Sequence, residues 1–191
     1  VISLEGTSNF RDIGGYQTKG GMGVRWGQLY RSASLDTLSL TDQKKLQELG
    51  VADSIDLRSG FERKKFAYAY PLLKTHACSI DSQVTEVAFA ALKNHQPLTV
   101  NQASEFMLSM YKDFVLTQQD HFARFFDLVI AQKHSTVFHC TAGKDRTGYA
   151  CALLHSAEQS FNGVLLGVLP ASKVFEFKIS PTDKIIKGKI S

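Results

Sequence analysis

The stretch from Thr136 to Ser156 constrains this chain of 191 residues more than any other. Thr136 to His139 is a short apolar run of the kind that forms a buried strand, and Arg146 to Ser156, with Ala150, Leu153 and Leu154 on one side, has the spacing of a helix. Between them stand Cys140-Thr141-Ala142-Gly143-Lys144-Asp145, a short and mostly small-residue bridge that must turn the chain tightly from strand to helix. Such a turn aims successive backbone N–H groups and the positive end of a helix dipole at one point, and so builds an anion cup. A strand-loop-helix unit of an α/β structure is therefore expected here.

The side chains of that loop suit phosphate. Thr141, Ala142 and Gly143 are small enough for the backbone to curl about a tetrahedral group, and Lys144 adds charge at the rim. Arg146 stands where loop becomes helix and can bind two phosphate oxygens at once. Cys140 opens the loop, and inward N–H groups favour negative charge on a sulfur at their centre; the thiolate is the nucleophile. The spacing Cys-x5-Arg thus places a sulfur to attack phosphorus in line and form a phosphocysteine that water later hydrolyses. A buried inert cysteine is the plainer alternative, and the flanking His139 and the Arg146-Thr147-Gly148 entry to the helix weigh against it.

Elsewhere the chain reads as one α/β domain with an appendage. Thr41 to Leu49 has the marks of a helix, with Thr41 as N-cap and Gly50 as its stop, and the apolar run Val51 to Leu57 follows as a strand. The glycine-rich stretch from Asn9 to Tyr30 suggests turns, with Val24, Trp26, Leu29 and Tyr30 in short hairpin strands. No Gly-Lys-Ser/Thr follows those glycines, so a Walker loop is not expected. Phe106, Met107, Met110, Tyr111, Phe114 and Val115 recur at helical spacing, and Phe122 to Ile130 continue the pattern in a second helix. Arg58 to Val100 is less legible.

Charge and cysteine content narrow the partners. Lys plus Arg number 22 against 18 Asp plus Glu, too small an excess to point to nucleic acid. Most of it lies in the tail, where Lys173, Lys178, Lys184, Lys187 and Lys189 face only Glu176 and Asp183. No apolar run approaches the ~20 residues of a membrane span. Cys78, Cys140 and Cys151 are an odd set without Cys-x-x-Cys spacing, against a disulfide framework or structural zinc. His76, His95, His121, His134 and His155 show no metal-ligand spacing either. A catalytic thiolate needs reducing surroundings, so a cytoplasmic setting is the expectation, with export as its alternative.

The loop His139 to Gly148 resembles the signature of the cysteine-dependent protein tyrosine phosphatases, in the form found in their bacterial and fungal branch. Asn9-Phe10-Arg11-Asp12, Leu29-Tyr30-Arg31-Ser32 and Asp56-Leu57-Arg58-Ser59 are similar to the same branch in the same order. The likeness covers roughly residues 6–157 and fades after Ser156; a catalytic domain over 1–157 and an atypical basic segment over 158–191 are expected. The resemblance implies a central, mostly parallel sheet flanked by helices, and hydrolysis of phosphotyrosine, extending to phosphoserine, phosphothreonine or phosphoinositides, without metal or organic cofactor. It implies Cys140 as nucleophile, Arg146 as phosphate binder, Thr147 as the hydroxyl that assists the thiolate and the hydrolytic step, and His139 as the residue orienting the loop. Thr141, Ala142, Gly143 and Lys144 would surround the substrate phosphate.

Ester cleavage also needs an acid for the leaving oxygen. Asp145, inside the loop, and Asp81, in Ser79-Ile80-Asp81-Ser82, are both candidates, whereas Asp56 beside Arg58 suggests a local ion pair. After Ser156 the chain gives Gly163 to Pro170 and then Val174 to Ile179, whose alternation reads as a strand. Because of that departure, a catalytically weak phosphate-binding module is the alternative function. A rhodanese-like sulfurtransferase suits Asp145 and the Arg146-Thr147-Gly148 entry less well.

Overall fold

A computed structural model describes residues 2–16, 25–81, 98–160, 174–178 and 185–189. Its centre is a five-stranded sheet in the order β1-β2-β5-β3-β4. The strands are β1 (Arg11–Asp12), β2 (Leu29–Ser32), β3 (Val51–Asp56), β4 (Lys74–Ala77) and β5 (Ser135–His139). Only β1 runs antiparallel, against β2; β2, β5, β3 and β4 are mutually parallel. This is the mostly parallel, helix-flanked sheet expected from the sequence.

Strand β5 lies between β2 and β3 and is covered on both faces, as parallel strands are. Phe138 points into one core, built with Leu29, Ile55 and residues of α3 (Val100–Leu116), α4 (Gln119–Ala131) and α5 (Asp145–Ser160). Val137 points into the other, with Tyr30, Val51 and Leu46 of α1 (Leu40–Glu48). Phe114, Phe122, Phe125 and Phe126 are fully buried in the first core. Phe125 packs edge-on against Phe126 and Phe138. Truncating one such phenylalanine to alanine costs ~3–5 kcal/mol.

Several local expectations are refined. Helix α1 is capped by Ser39, not Thr41, because Ser39 Oγ accepts from Asp42 N while Asp42 Oδ2 accepts from Ser39 N, a closed capping box. Asp42 also receives the amides of Glu5 and Gly6, which ties the N-terminal segment to α1 and outweighs burial to hold its carboxyl below the usual range. Gly50 ends the helix with φ +71°. Trp26 lies in a turn and is exposed rather than in a strand, and Val24 falls outside the described residues. In the less legible region the chain forms α2 (Gly60–Lys65) and β4.

In α3, Met110 and Phe114 are buried while Met107 and Tyr111 are exposed, so the apolar stripe is wider than the face it buries. Strands β6 (Val174–Lys178) and β7 (Ile185–Lys189) pair antiparallel in a sheet of their own. Among the described residues no helix is long and apolar enough to cross a membrane.

Candidate active site

The parallel strands end at one edge of the sheet, and the Cys140 loop leaves the middle of that edge, flanked by the exits of β2 and β3. Its shape is set by what holds its carbonyls. Cys140 O accepts from His139 Nδ1 (3.3 Å), Thr141 O from Ser34 N (3.0 Å), and Ala142 O from Asn9 Nδ2 (2.9 Å). Gly143 O accepts from Arg31 Nη2 (2.8 Å) and Lys144 O from Gly148 N (2.6 Å). Four consecutive carbonyls are thus held by the scaffold around the loop, and the fifth, Lys144 O, opens the hydrogen-bond ladder of α5. A tight loop whose carbonyls are held outward directs its amides to the opposite side, where they can meet an anion. Gly143 takes φ +65°, and a Cβ there would lie 2.5 Å from both Ala33 N and Ser32 O. Only glycine fits.

Arg146 follows in the first turn of α5 and is buried against Glu62 of α2. Its Nη1 donates to Glu62 Oε2 at 2.7 Å and its Nη2 to Glu62 Oε1 at 2.9 Å, while Nη1 also meets Leu57 O at 3.4 Å. These bonds occupy one edge of the guanidinium. Nε–H and the outer Nη2–H, on the adjacent edge, form a second fork of the kind that matches two phosphate oxygens. Burial opposes the Glu62 charge, but Arg146, the Thr141 hydroxyl and the Ser59 amide hold its carboxyl down to about 2. Burial likewise opposes the Arg146 charge, and Glu62 together with the nearby Cys140 keeps Arg146 above its ordinary value.

Glu62 was not among the residues singled out from the sequence. Its signal is the pattern Ser59-x-x-Glu62, which closes a capping box at the start of α2, Ser59 N donating to Glu62 Oε2 at 2.7 Å. One carboxylate therefore caps a helix, holds the guanidinium and accepts from Thr141 Oγ1.

His139 is fully buried beneath the loop. Burial pushes its imidazole down to about 4 in spite of Asp56, so it is neutral at pH 7. Nδ1 faces a carbonyl and must carry the proton; Nε2 accepts from Tyr68 Oη at 2.7 Å. Asp56 pairs with Arg58 (Oδ2 to Nη2, 2.8 Å), as expected for a strand-end ion pair, and both are buried. Arg58 also donates to Ser34 Oγ and to Phe66 O, locking the exits of β2 and β3 together.

The two candidate acids are placed differently. Asp145 begins α5, and its Oδ1 accepts from Tyr111 Oη of α3 at 3.2 Å. Asp81 is exposed beyond β4, and its carbonyl receives Gln118 Nε2 at 2.9 Å. The chain reaches it alongside the exit of β3, Cys78 N donating to Asp56 O and Ile80 N to Leu57 O. Cys140 is buried and free, as are Cys78 and Cys151. Thr147 is fully buried and its hydroxyl has no protein partner. Ala142 and Lys144 are exposed at the rim. Among the described residues no cluster of His, Cys, Asp or Glu could hold a metal ion. Tyr68 and Tyr111 carried no sequence signal, one in the less legible region after Arg58 and the other within an apolar helical stripe.

A family model described as the tyrosine phosphatase family matches residues 2–160. A protein of Cupriavidus necator named as a tyrosine-protein phosphatase is 35% identical over 165 residues, covering 82% of this chain and 57% of that protein. The triple specificity protein phosphatase PtpB of Mycobacterium tuberculosis is 29% identical over 181 residues, covering 82% and 63%. A tyrosine-protein phosphatase of Nostoc commune is 30% identical over 151 residues, covering 78% and 47%. The chain thus spans between about half and two-thirds of the length of these relatives.

Proposed function

The chain belongs to the tyrosine phosphatase family, and on that premise we propose that it hydrolyses protein phosphotyrosine through a phosphocysteine on Cys140. The observation that carries this reading is the pairing of an outward-stapled loop with an Arg146 whose second fork is left open by Glu62. The Cys140 thiolate attacks phosphorus in line, the S–P bond forms, and the P–O bond to the leaving group breaks. Charge on the equatorial oxygens is met by the loop amides and Arg146, already oriented before substrate arrives.

Asp145, held by Tyr111, supplies the proton to the leaving oxygen; its ionised form then takes a proton from the water that cleaves the S–P bond. The Thr147 hydroxyl, buried without a partner, supports the departing thiolate in that second step. His139 fixes the loop through the Cys140 carbonyl as a neutral donor. Thr141, Ala142, Gly143 and Lys144 surround the phosphate. Asp81 as the acid is the second assignment, favoured by its exposure on the neighbouring strand exit. The family resemblance of the Cys140 loop extends the proposed substrates to phosphoserine, phosphothreonine and phosphoinositides, and the name of the Mycobacterium tuberculosis relative, a triple specificity protein phosphatase, supports a range wider than phosphotyrosine. A cytoplasmic setting, residues 1–157 as the catalytic domain and 158–191 as a separate basic segment complete the proposal.

The test is phosphate release from a phosphotyrosine peptide, with and without EDTA, by the chain and by Cys140→Ser. Turnover that is indifferent to EDTA and lost in the variant is expected. A folded chain that binds the peptide without turning it over would support the phosphate-binding module instead.

A further inference from the structure

Behind the catalytic loop, on the α5 side of the sheet, lies a cluster of positive charge of which the mechanism uses only the bond from Arg31 Nη2 to Gly143 O. Arg11 of β1 and Arg31 of β2 stand directly opposite each other in the antiparallel ladder, so both side chains share a face. Like charges in that position are destabilising. Neither arginine forms an ion pair with a carboxylate among the described residues. Asp12, the carboxylate nearest in sequence, pairs with Tyr30 on the other face and accepts from Gly14 N and Gly27 N.

The hydrogen-bonding capacity here is also unspent. Arg31 Nη2 holds Gly143 O and its side chain also meets the buried Cys151 thiol, while Nε is buried with no nitrogen or oxygen acceptor. Arg11 spends Nη1 on Asn9 O at 2.9 Å. His155 of α5 is near enough to feel the Arg31 charge, which, after burial, lowers its affinity for a proton. Both His155 ring nitrogens are buried and unpartnered, and the ring lies 4.3 Å from that of Tyr16. Burial and then Arg31 also disfavour the charge on Arg11. Two guanidinium groups with an imidazole N–H select an oxyanion.

We propose that Arg11, Arg31 and His155 form a second oxyanion subsite, of the phosphate and sulfate class, tied to the catalytic loop through the bond from Arg31 to Gly143. As a subsite for a second phosphate of the substrate it rests on the proposed hydrolytic function; as a site for a free ion it does not.

Sulfate is titrated calorimetrically into the whole chain, alone and with orthovanadate filling the cup, and the titrations are repeated with Arg11→Gln. Two binding events are expected, one removed by vanadate and the other weakened about tenfold by Arg11→Gln, the loss of one charge-assisted hydrogen bond. Arg11→Lys should restore part of the second. A single event, abolished by vanadate and untouched by Arg11→Gln, overturns the subsite. An Arg11-dependent event without a vanadate-sensitive one supports the subsite while contradicting the cup.

The source of the anion is read from a peptide carrying two adjacent phosphotyrosines against its singly phosphorylated twin. A kcat/KM preference for the former that falls about tenfold in Arg11→Gln assigns the anion to the substrate. Equal kcat/KM values beside an Arg11-dependent sulfate event assign it to a free ion.

Discussion

Glu62 grips Arg146 through both carboxylate oxygens, at 2.7 and 2.9 Å, across 84 positions of sequence. A lone buried arginine would carry a large desolvation cost, and a paired one with no open edge could not bind substrate. The end-on geometry meets both demands, since it neutralises the guanidinium and leaves its other fork free.

The pair makes stability depend on acid pH. Glu62 is held at about 2, below its usual 4.5, so its contribution is fully present above pH ~5 and is lost as pH falls toward 2. That contribution is on the order of 3 kcal/mol. Urea unfolding of the chain should weaken across this window, and Glu62→Gln, less stable by ~3–5 kcal/mol at pH 7, should show a shallower slope there. Equal slopes would mean that the carboxylate is not coupled to the fold.

Gly143→Ala should damage the loop more than its size suggests. The added methyl meets the backbone of Ser32 and Ala33 at 2.5 Å, and φ +65° is unfavourable for alanine. A thermal shift corresponding to at least ~1–3 kcal/mol and a fall in kcat are expected. Unchanged melting and turnover would show that the loop has room to yield.

His139 should be silent in a proton titration. With its imidazole at about 4, NMR should show a neutral ring protonated at Nδ1 throughout pH 5.5–8. The unfolded chain takes up this proton first, so the histidine favours folding above its unfolded value near 6.5 and costs stability as pH falls from there toward 4. Tyr68→Phe leaves Nε2 unpaired and should cost ~1–3 kcal/mol.

Much of this site is local and could therefore be read from the sequence. Cys140, the small residues, Asp145 and Arg146 lie within one turn between strand and helix, and their spacing alone dictates a cup. What holds the cup is not local. Asn9 before β1, Arg31 of β2 and Ser34 beyond it each hold a loop carbonyl, and Glu62 of α2 accepts from the Thr141 hydroxyl; only tertiary contact shows these pairings. Glu62 could have been noticed as the third residue of a capping box, but not as the partner of Arg146. Tyr111 has helical spacing with Met107 and Phe114, which conceals a hydroxyl directed at Asp145. The error at Thr41 is of the opposite kind: two hydroxyl residues compete for the cap, and Asp42 at the third position decides for Ser39.

Tyr111→Phe distinguishes the two candidate acids. It removes the hydrogen bond that fixes Asp145, so kcat for a phosphotyrosine peptide should fall ~10-fold or more, within the range of acid catalysis. An activated aryl phosphate, whose leaving group needs little help from an acid, should be affected less. If Asp81 is the acid, Tyr111→Phe should leave both substrates alike and Asp81→Asn should separate them.

The most direct test of the mechanism is to trap the intermediate. The chain is mixed with a phosphotyrosine peptide, quenched in acid within the first turnover and mapped by mass spectrometry. The expected result is one phosphoryl group on Cys140, absent in Cys140→Ser and longer-lived in Asp145→Asn, where its hydrolysis lacks a base. Steady phosphate release with no phosphocysteine at any quench time, or release undiminished in Cys140→Ser, would contradict the thiolate mechanism.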